Sequence, residues 1–207
     1  MVVELFTEAF LSAVQSLVTR HHSIYPRLPP QGIFLEALVE QGFLLAGWTR
    51  EQIVPTIPNS PRHDLLVGSV RLSIKSETGR ATKANAVSIT KLCTTETGDW
   101  NADFLVSHAI AHLGRHDRML MLRAVWDEPA FVYQLLEIPL DLLRRMQAVS
   151  FAPVGTRSGR RSLAADIMDG EERLYRVHFD GADGKCQIHN LLVGRCRMLR
   201  GWREPAT

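Results

Sequence analysis

Between residues 61 and 80 the chain reads PRHDLLVGSVRLSIKSETGR. Asp64 opens a short apolar run, Gly68 and Ser69 form a turn signal, and the second run carries Lys75 two residues after Ser73. Side chains alternate across a strand, so Arg71, Ser73 and Lys75 share one face and Leu72, Ile74 and Ser76 the other. The turn folds the runs together and brings Asp64 beside Ser73 or Lys75, depending on register. One reading is an ordinary hairpin whose edge ion pair contributes about 0–1 kcal/mol. The other is a hydrolytic centre. There the carboxylate holds a hard divalent cation through oxygen, while the ammonium orients or deprotonates a water and offsets phosphorane charge.

Other side chains compete for a chemical role. His108, His112 and His116 recur at helical spacing, but residue 109 is alanine, so the general-base glutamate of an HExxH zinc helix is missing. Such a stripe otherwise belongs to a solvated or partner-facing helix. Cys186, His189 and Cys196 can be drawn as a zinc set, although their spacing fits no standard pattern. Positive charge gathers twice. From Arg62 to Lys91 there are six Lys or Arg against two acids, and Arg157, Arg160 and Arg161 lie in a stretch with no acid from Pro153 to Ser162. Clusters of this kind contact phosphates or are simply solvated loops. Directly after Lys75, the segment GRATKAN offers Arg80, Thr82, Lys83 and Asn85 as donors to phosphates or base edges, with small residues permitting close approach. Gln187, His189 and Asn190 are further base-reading candidates.

The elements that must position these residues follow from periodicity. Residues 2–21 have apolar positions at helical spacing, and IFLEALVEQGFLLAG is a second helix with possible ends at Gly42 and Gly47. Strands are expected at 64–67, 70–76 and 87–93. A helix capped by Asp99 or Asn101 then runs to about Gly114. The near-continuous apolar run 117–126 suits a strand buried on both faces. A helix at 139–149 and a hairpin of LYRVHFD and KCQIHNLLV around GADG complete the pass. This is a mixed α/β chain in one domain, with a possible division into a core of 1–150 and a C-terminal β addition of 151–207.

With the strands placed, the pattern resembles the PD-(D/E)xK nuclease superfamily and, within it, type II restriction endonucleases. The match is Asp64, then Ser73-Ile74-Lys75, with the helix IFLEALVEQGF before and NADFLVSHAIAHLGRHDRMLMLRAV after, over about residues 30–126. The resemblance implies a restriction-endonuclease-like core with a mixed central sheet flanked by helices. It also implies metal-dependent, sequence-specific cleavage of double-stranded DNA with Mg²⁺, by a homodimer. Two departures stand out: His63 replaces the proline, and Ser73 replaces the second acid. That acid must come from Glu77, two residues past Lys75 on the same strand face, from Glu36 in the preceding helix, or from Glu96. Glu77 is preferred because it needs no long-range contact, and Glu36 is next. The expected site is therefore Asp64, Lys75, Glu77 and Ser73, with Asp64, Glu77 and Glu36 as metal ligands. Because Ser73 stands in the acid's place, a non-cleaving nucleic-acid-binding protein of the same fold is the alternative, with a repair nuclease as a third.

Bulk properties bound these readings. The chain has 207 residues, 45% hydrophobic, with formal net charge +2. That suffices for a sizeable core and excludes a histone-like polycation, so DNA contact must be a local patch. Three cysteines without CxxC spacing suit buried thiols in a reducing compartment. The apolar N-terminus is broken by Glu4, Glu8 and Gln15, unlike a signal peptide, and no window reaches the length of a membrane span. A cytoplasmic location is the expectation.

Overall fold

The structure, a computed structural model, describes residues 4–56, 63–95, 100–155 and 161–206. Among these the order is α1 (Glu8–Ile24), α2 (Ile33–Leu45), β1 (Ile53–Pro55), β2 (Leu65–Val67), β3 (Val70–Glu77) and β4 (Ala86–Thr94). Next come α3 (Ala102–Leu113), β5 (Arg118–Asp127), β6 (Ala130–Glu137), α4 (Leu140–Arg144) and β7 (Ala152–Val154). The chain continues with β8 (Ser162–Asp169), β9 (Glu172–Asp180), β10 (Lys185–Leu192) and β11 (Arg197–Pro205). Two compact units interleave in sequence. The first is Met1–Thr82, His116–Ile138 and Arg197–Thr207; the second is Lys83–Arg115 and Pro139–Cys196.

The first unit is a mixed six-stranded sheet in the order β1-β2-β3-β5-β6-β11. β3 and β5 run parallel and every other pairing is antiparallel. Leu72, Ile74, Leu120, Leu122, Phe131, Tyr133 and Leu135 share a core with buried residues of α1 and α2. The Thr7 hydroxyl accepts the Phe10 N–H at 3.3 Å and starts α1. Gly42 does not end α2. A Cβ there would stand 2.6 Å from Val14 Cγ2, so glycine is what lets α2 approach α1, and Phe10 and Phe43 stack at 4.1 Å beside it. Gly47, at φ +96, lies in the left-handed region just past the end of α2. β5 buries seven consecutive residues, Met119–Val125, as expected for a strand covered on both faces.

The second unit is a five-stranded antiparallel sheet in the order β4-β10-β9-β8-β7, together with α3 and α4. Asn101 caps α3, its side-chain oxygen accepting the Phe104 N–H at 2.9 Å. The hairpin around GADG is present as β9 and β10, with Lys185 opposite Asp180. Cys93 and Cys186 are buried, adjacent across the β4–β10 pair, and not disulfide-bonded.

Several elements differ from expectation. The helix expected at 139–149 is α4 plus a 3₁₀ turn at Arg145–Ala148. Leu140, Leu143 and Met146 are its buried residues, and a spacing of three suits the 3₁₀ form better than the α-helix. Five strands were not anticipated: β1, β6, β7, β8 and β11. β11 is concealed by its composition, RMLRGWREP, because three arginines, a glycine and a proline are poor strand formers. It holds the sheet edge, where Arg197, Arg200 and Arg203 pair with Glu137, Glu8 and Asp127. His22 fastens this end of the sheet, its ring nitrogens meeting the Tyr133 hydroxyl at 3.0 Å and the Pro205 carbonyl at 2.8 Å.

Candidate active site

The hairpin that carries Asp64 and Lys75 forms as the sequence requires. Leu65 pairs with Leu72 and Val67 with Val70 around Gly68, which takes φ +59. The Asp64 N–H donates to the Leu72 carbonyl at 3.0 Å, which sets Asp64 opposite Ser73. Leu65 and Leu72 turn into the helix-covered core, so Asp64, Ser73 and Lys75 occupy the opposite face.

Two hydrogen-bond donors and one ammonium converge on one carboxylate oxygen. Asp64 Oδ2 accepts the Ile74 N–H at 2.6 Å and the Ser73 hydroxyl at 3.2 Å, and Lys75 Nζ lies 3.8 Å away. Ser73 is fully buried, whereas the Asp64 and Lys75 side chains keep 24% and 20% exposure, enough for a ligand to reach them. No other hydrogen bond to Asp64 is formed by a side chain of the described residues, so Oδ1 is not engaged by them.

A further acid on α2 feels these charges. Glu36 is half-buried in the first turn of that helix, and the charges of Asp64 and Lys75 both act on it. Burial raises its pKa above the ordinary glutamate range, Asp64 raises it further, and Lys75 partly offsets this. Glu77 shares the strand face of Lys75, yet its carboxylate is committed elsewhere. Arg123, opposite it on β5 and fully buried, donates to Glu77 Oε2 at 2.7 Å and to Gln134 Oε1 at 2.5 Å. A buried guanidinium requires such partners, which makes Glu77 its counter-ion. Glu96 lies outside the described residues.

His116 belongs to this neighbourhood and not to the helical stripe, because α3 stops at Leu113. It stands just before β5, is 3% exposed, and has its pKa pushed down to about 4. Burial is the main cause, followed by the positive charge of Lys75. Sequence periodicity concealed it. The signal available was its place two residues before a strand that pairs with β3. His108, on α3, meets the Thr94 carbonyl at 2.9 Å.

The residues expected to touch DNA belong to both units. Arg80 follows β3 in the first unit, its guanidinium 5.2 Å from the Trp126 ring centroid. Thr82 is half-buried. In the second unit Lys83 Nζ donates to Asn190 Oδ1 at 2.9 Å, and the Asn85 carbonyl accepts the Val193 N–H at 3.1 Å. There too the Arg161 carbonyl accepts the Trp100 indole N–H, and His178 and His189 both meet Gln187 Oε1. Arg157 and Arg160 lie outside the described residues. Among the described residues no group of three or more His, Cys, Asp or Glu could hold a metal, which removes the Cys186, His189 and Cys196 zinc set.

The family described as SmaI, type II site-specific deoxyribonuclease, matches residues 1–204. The chain belongs to this family. Within it, the chain is similar to the type II restriction enzyme SmaI of Serratia marcescens, at 26% identity over 147 residues. That alignment covers 69% of this chain and 60% of the Serratia enzyme, so the chain spans less than two thirds of that relative's length. No solved structure matches. No helix among the described residues of this SmaI-family chain is long and apolar enough to cross a membrane.

Proposed function

We propose that the chain is a type II restriction endonuclease, cutting double-stranded DNA at a specific sequence by metal-dependent phosphodiester hydrolysis. The observation that carries this reading is the convergence of Ile74 N–H, Ser73 and Lys75 on Asp64 Oδ2, with Glu36 within electrostatic reach, in a chain of the SmaI family. A restriction-endonuclease-like core accounts for the sheet order around β3 and β5. A homodimer matches a two-fold DNA site, and the cytoplasm is where such an enzyme meets DNA.

Asp64 and Glu36 are the acids assigned to a magnesium ion, in place of the pair Asp64 and Glu77. The donor set fits: both side chains offer carboxylate oxygens, and the pKa of Glu36 is raised by burial first and by the Asp64 charge second, two penalties on its ionised form that a divalent cation would relieve. When bound, Mg²⁺ supplies a Lewis acid for the phosphate and favours ionisation of a water. The chain's own residues do the rest. Ile74 and Ser73 fix the Asp64 carboxylate through Oδ2, leaving Oδ1 for the ion. The Lys75 ammonium orients the attacking water and offsets negative charge on the phosphoryl oxygens. The water oxygen bonds to phosphorus in line and its proton passes to solvent, while the bond from phosphorus to the 3′ oxygen breaks and that oxygen takes up a proton from solvent.

Incubation of purified protein with phage DNA and Mg²⁺ tests this. Discrete fragments that disappear with chelator and with Lys75→Ala are expected. DNA that is bound but uncut at every metal concentration identifies a non-cleaving binder. Cutting without sequence restriction identifies a repair-type nuclease.

A further inference from the structure

Beyond the C-terminal end of β3, three segments of the first unit line one cavity of about 300 Å³. The α1–α2 connection supplies Arg27 and Gln31, the segment after β3 supplies Thr78, Gly79 and Arg80, and β5 supplies Trp126. The Trp126 indole N–H donates to the Thr78 carbonyl at 3.1 Å, which fixes the ring, and the Arg80 guanidinium lies against that ring. A Cβ at Gly79 would meet nothing within 4 Å, so the backbone there is open to close approach.

The charge at this cavity contrasts with that of most arginines packed along the sheet of the unit, although the exposed Arg20 and Arg50 also have no carboxylate in ion-pair contact among the described residues. Arg71, Arg118, Arg123 and Arg203 are each paired with a carboxylate. Among the described residues neither Arg27 nor Arg80 has one within ion-pair distance, although both line the same wall. Glu128 lines an adjoining cavity that shares Arg27, Arg80 and Trp126 with this one, but it is in ion-pair contact with neither arginine. Two cations lining one cavity with no ion-pair partner among the described residues, next to the Gln31 amide, the Thr78 hydroxyl and an open backbone, are the chemistry of an anion site.

We propose that Arg27 and Arg80 clamp a phosphodiester of the DNA strand in this cavity, with Trp126 holding the Arg80 plane. The proposal rests on the DNA-cleaving reading above and adds a contact to it. Trp126 lies five residues along β5 from Met121, the neighbour of Lys75. Five residues of strand span about 17 Å. The clamped phosphate is therefore not the one being cut, and the subsite sets strand position.

The test is anisotropy of a labelled DNA duplex, titrated in chelator over a range of salt, with cleavage measured separately in Mg²⁺. Arg27→Ala/Arg80→Ala is expected to bind about 10–100-fold more weakly, with the slope of log K against log salt reduced by about 2. Arg27→Lys/Arg80→Lys keeps both charges and is expected to restore the slope. Both arginines are exposed, so unchanged circular dichroism and melting temperature are expected of either variant. A double alanine variant with wild-type affinity and slope, beside wild-type protein that binds and cuts, overturns the phosphate subsite alone. Wild-type protein that neither binds nor cuts duplex DNA overturns the endonuclease reading beneath it.

Discussion

Lys75 Nζ lies 3.8 Å from Asp64 Oδ2, and the same oxygen accepts the Ile74 N–H at 2.6 Å. The ammonium is thus the ion-pair partner of a carboxylate that two hydrogen bonds, from Ile74 N–H and the Ser73 hydroxyl, already orient, not half of an isolated surface pair. Its position depends on the hairpin register, because a slip of one residue would send Lys75 to the helix-covered face.

Ser73 is a positioning residue in this arrangement. Ser73→Ala removes one donor from Asp64 and leaves the Ile74 N–H. A loss of about 1 kcal/mol in stability and a roughly 3–10-fold fall in cleavage rate are expected, with DNA affinity unchanged. Chemical denaturation and single-turnover cleavage measure the two separately. Restoration of the rate by Thr in place of Ser73 is the further sign of a hydroxyl contact.

Glu36 and Glu77 separate by what their loss costs. Glu77→Gln leaves the fully buried Arg123 without its counter-ion, and a destabilisation of about 3–5 kcal/mol is expected. Urea unfolding reads this directly. If Glu77→Gln unfolds at the wild-type midpoint while DNA cleavage vanishes, Glu77 is the metal ligand after all.

The raised pKa of Glu36 gives a signed pH dependence. Its folded pKa exceeds its unfolded value, so the ionised side chain destabilises the metal-free fold. Relative to Glu36→Gln, the wild type loses stability as pH rises from the unfolded pKa through the folded one. Below the unfolded pKa the difference disappears. Melting temperatures of both proteins from pH 4 to 8, without metal, are expected to diverge upward in pH, and Mg²⁺ to raise only the wild type.

His116 has the opposite sign of dependence. Its pKa is lowered to about 4, so the neutral imidazole stabilises the fold fully above the unfolded value near 6.5. That contribution, up to about 3 kcal/mol, is lost as pH falls from 6.5 to 4. Unfolding of His116→Asn over this range is expected to be flatter than the wild type. Equal slopes would show that His116 does not supply the transition.

The sequence was informative where periodicity and turn chemistry agree. Gly68, at φ +59, marked the hairpin, and Asn101 marked the start of α3. The long apolar run of β5 announced its burial on both faces. What stayed hidden depended on long-range partners. β11 is a strand because acids on β6, at the end of β5 and on α1 neutralise its arginines, which no local window reveals. Glu77 looked available because Arg123 lies 46 residues away in sequence. Glu36 was already a candidate from the sequence, but its half-buried setting and the influence of Asp64 on it emerge only when α2 is packed on the sheet. Gly42 read as a helix end because its neighbour Val14 belongs to another helix.

The most direct test of the site is the single-turnover cleavage rate of Asp64→Asn and Glu36→Gln with Mg²⁺ and saturating duplex DNA. Both variants are expected to bind DNA and to cut at least ~10³-fold more slowly than the wild type, because each replaces an anionic carboxylate by a neutral amide and weakens the hold on the ion. Cleavage by either variant within a few-fold of the wild-type rate would contradict the account.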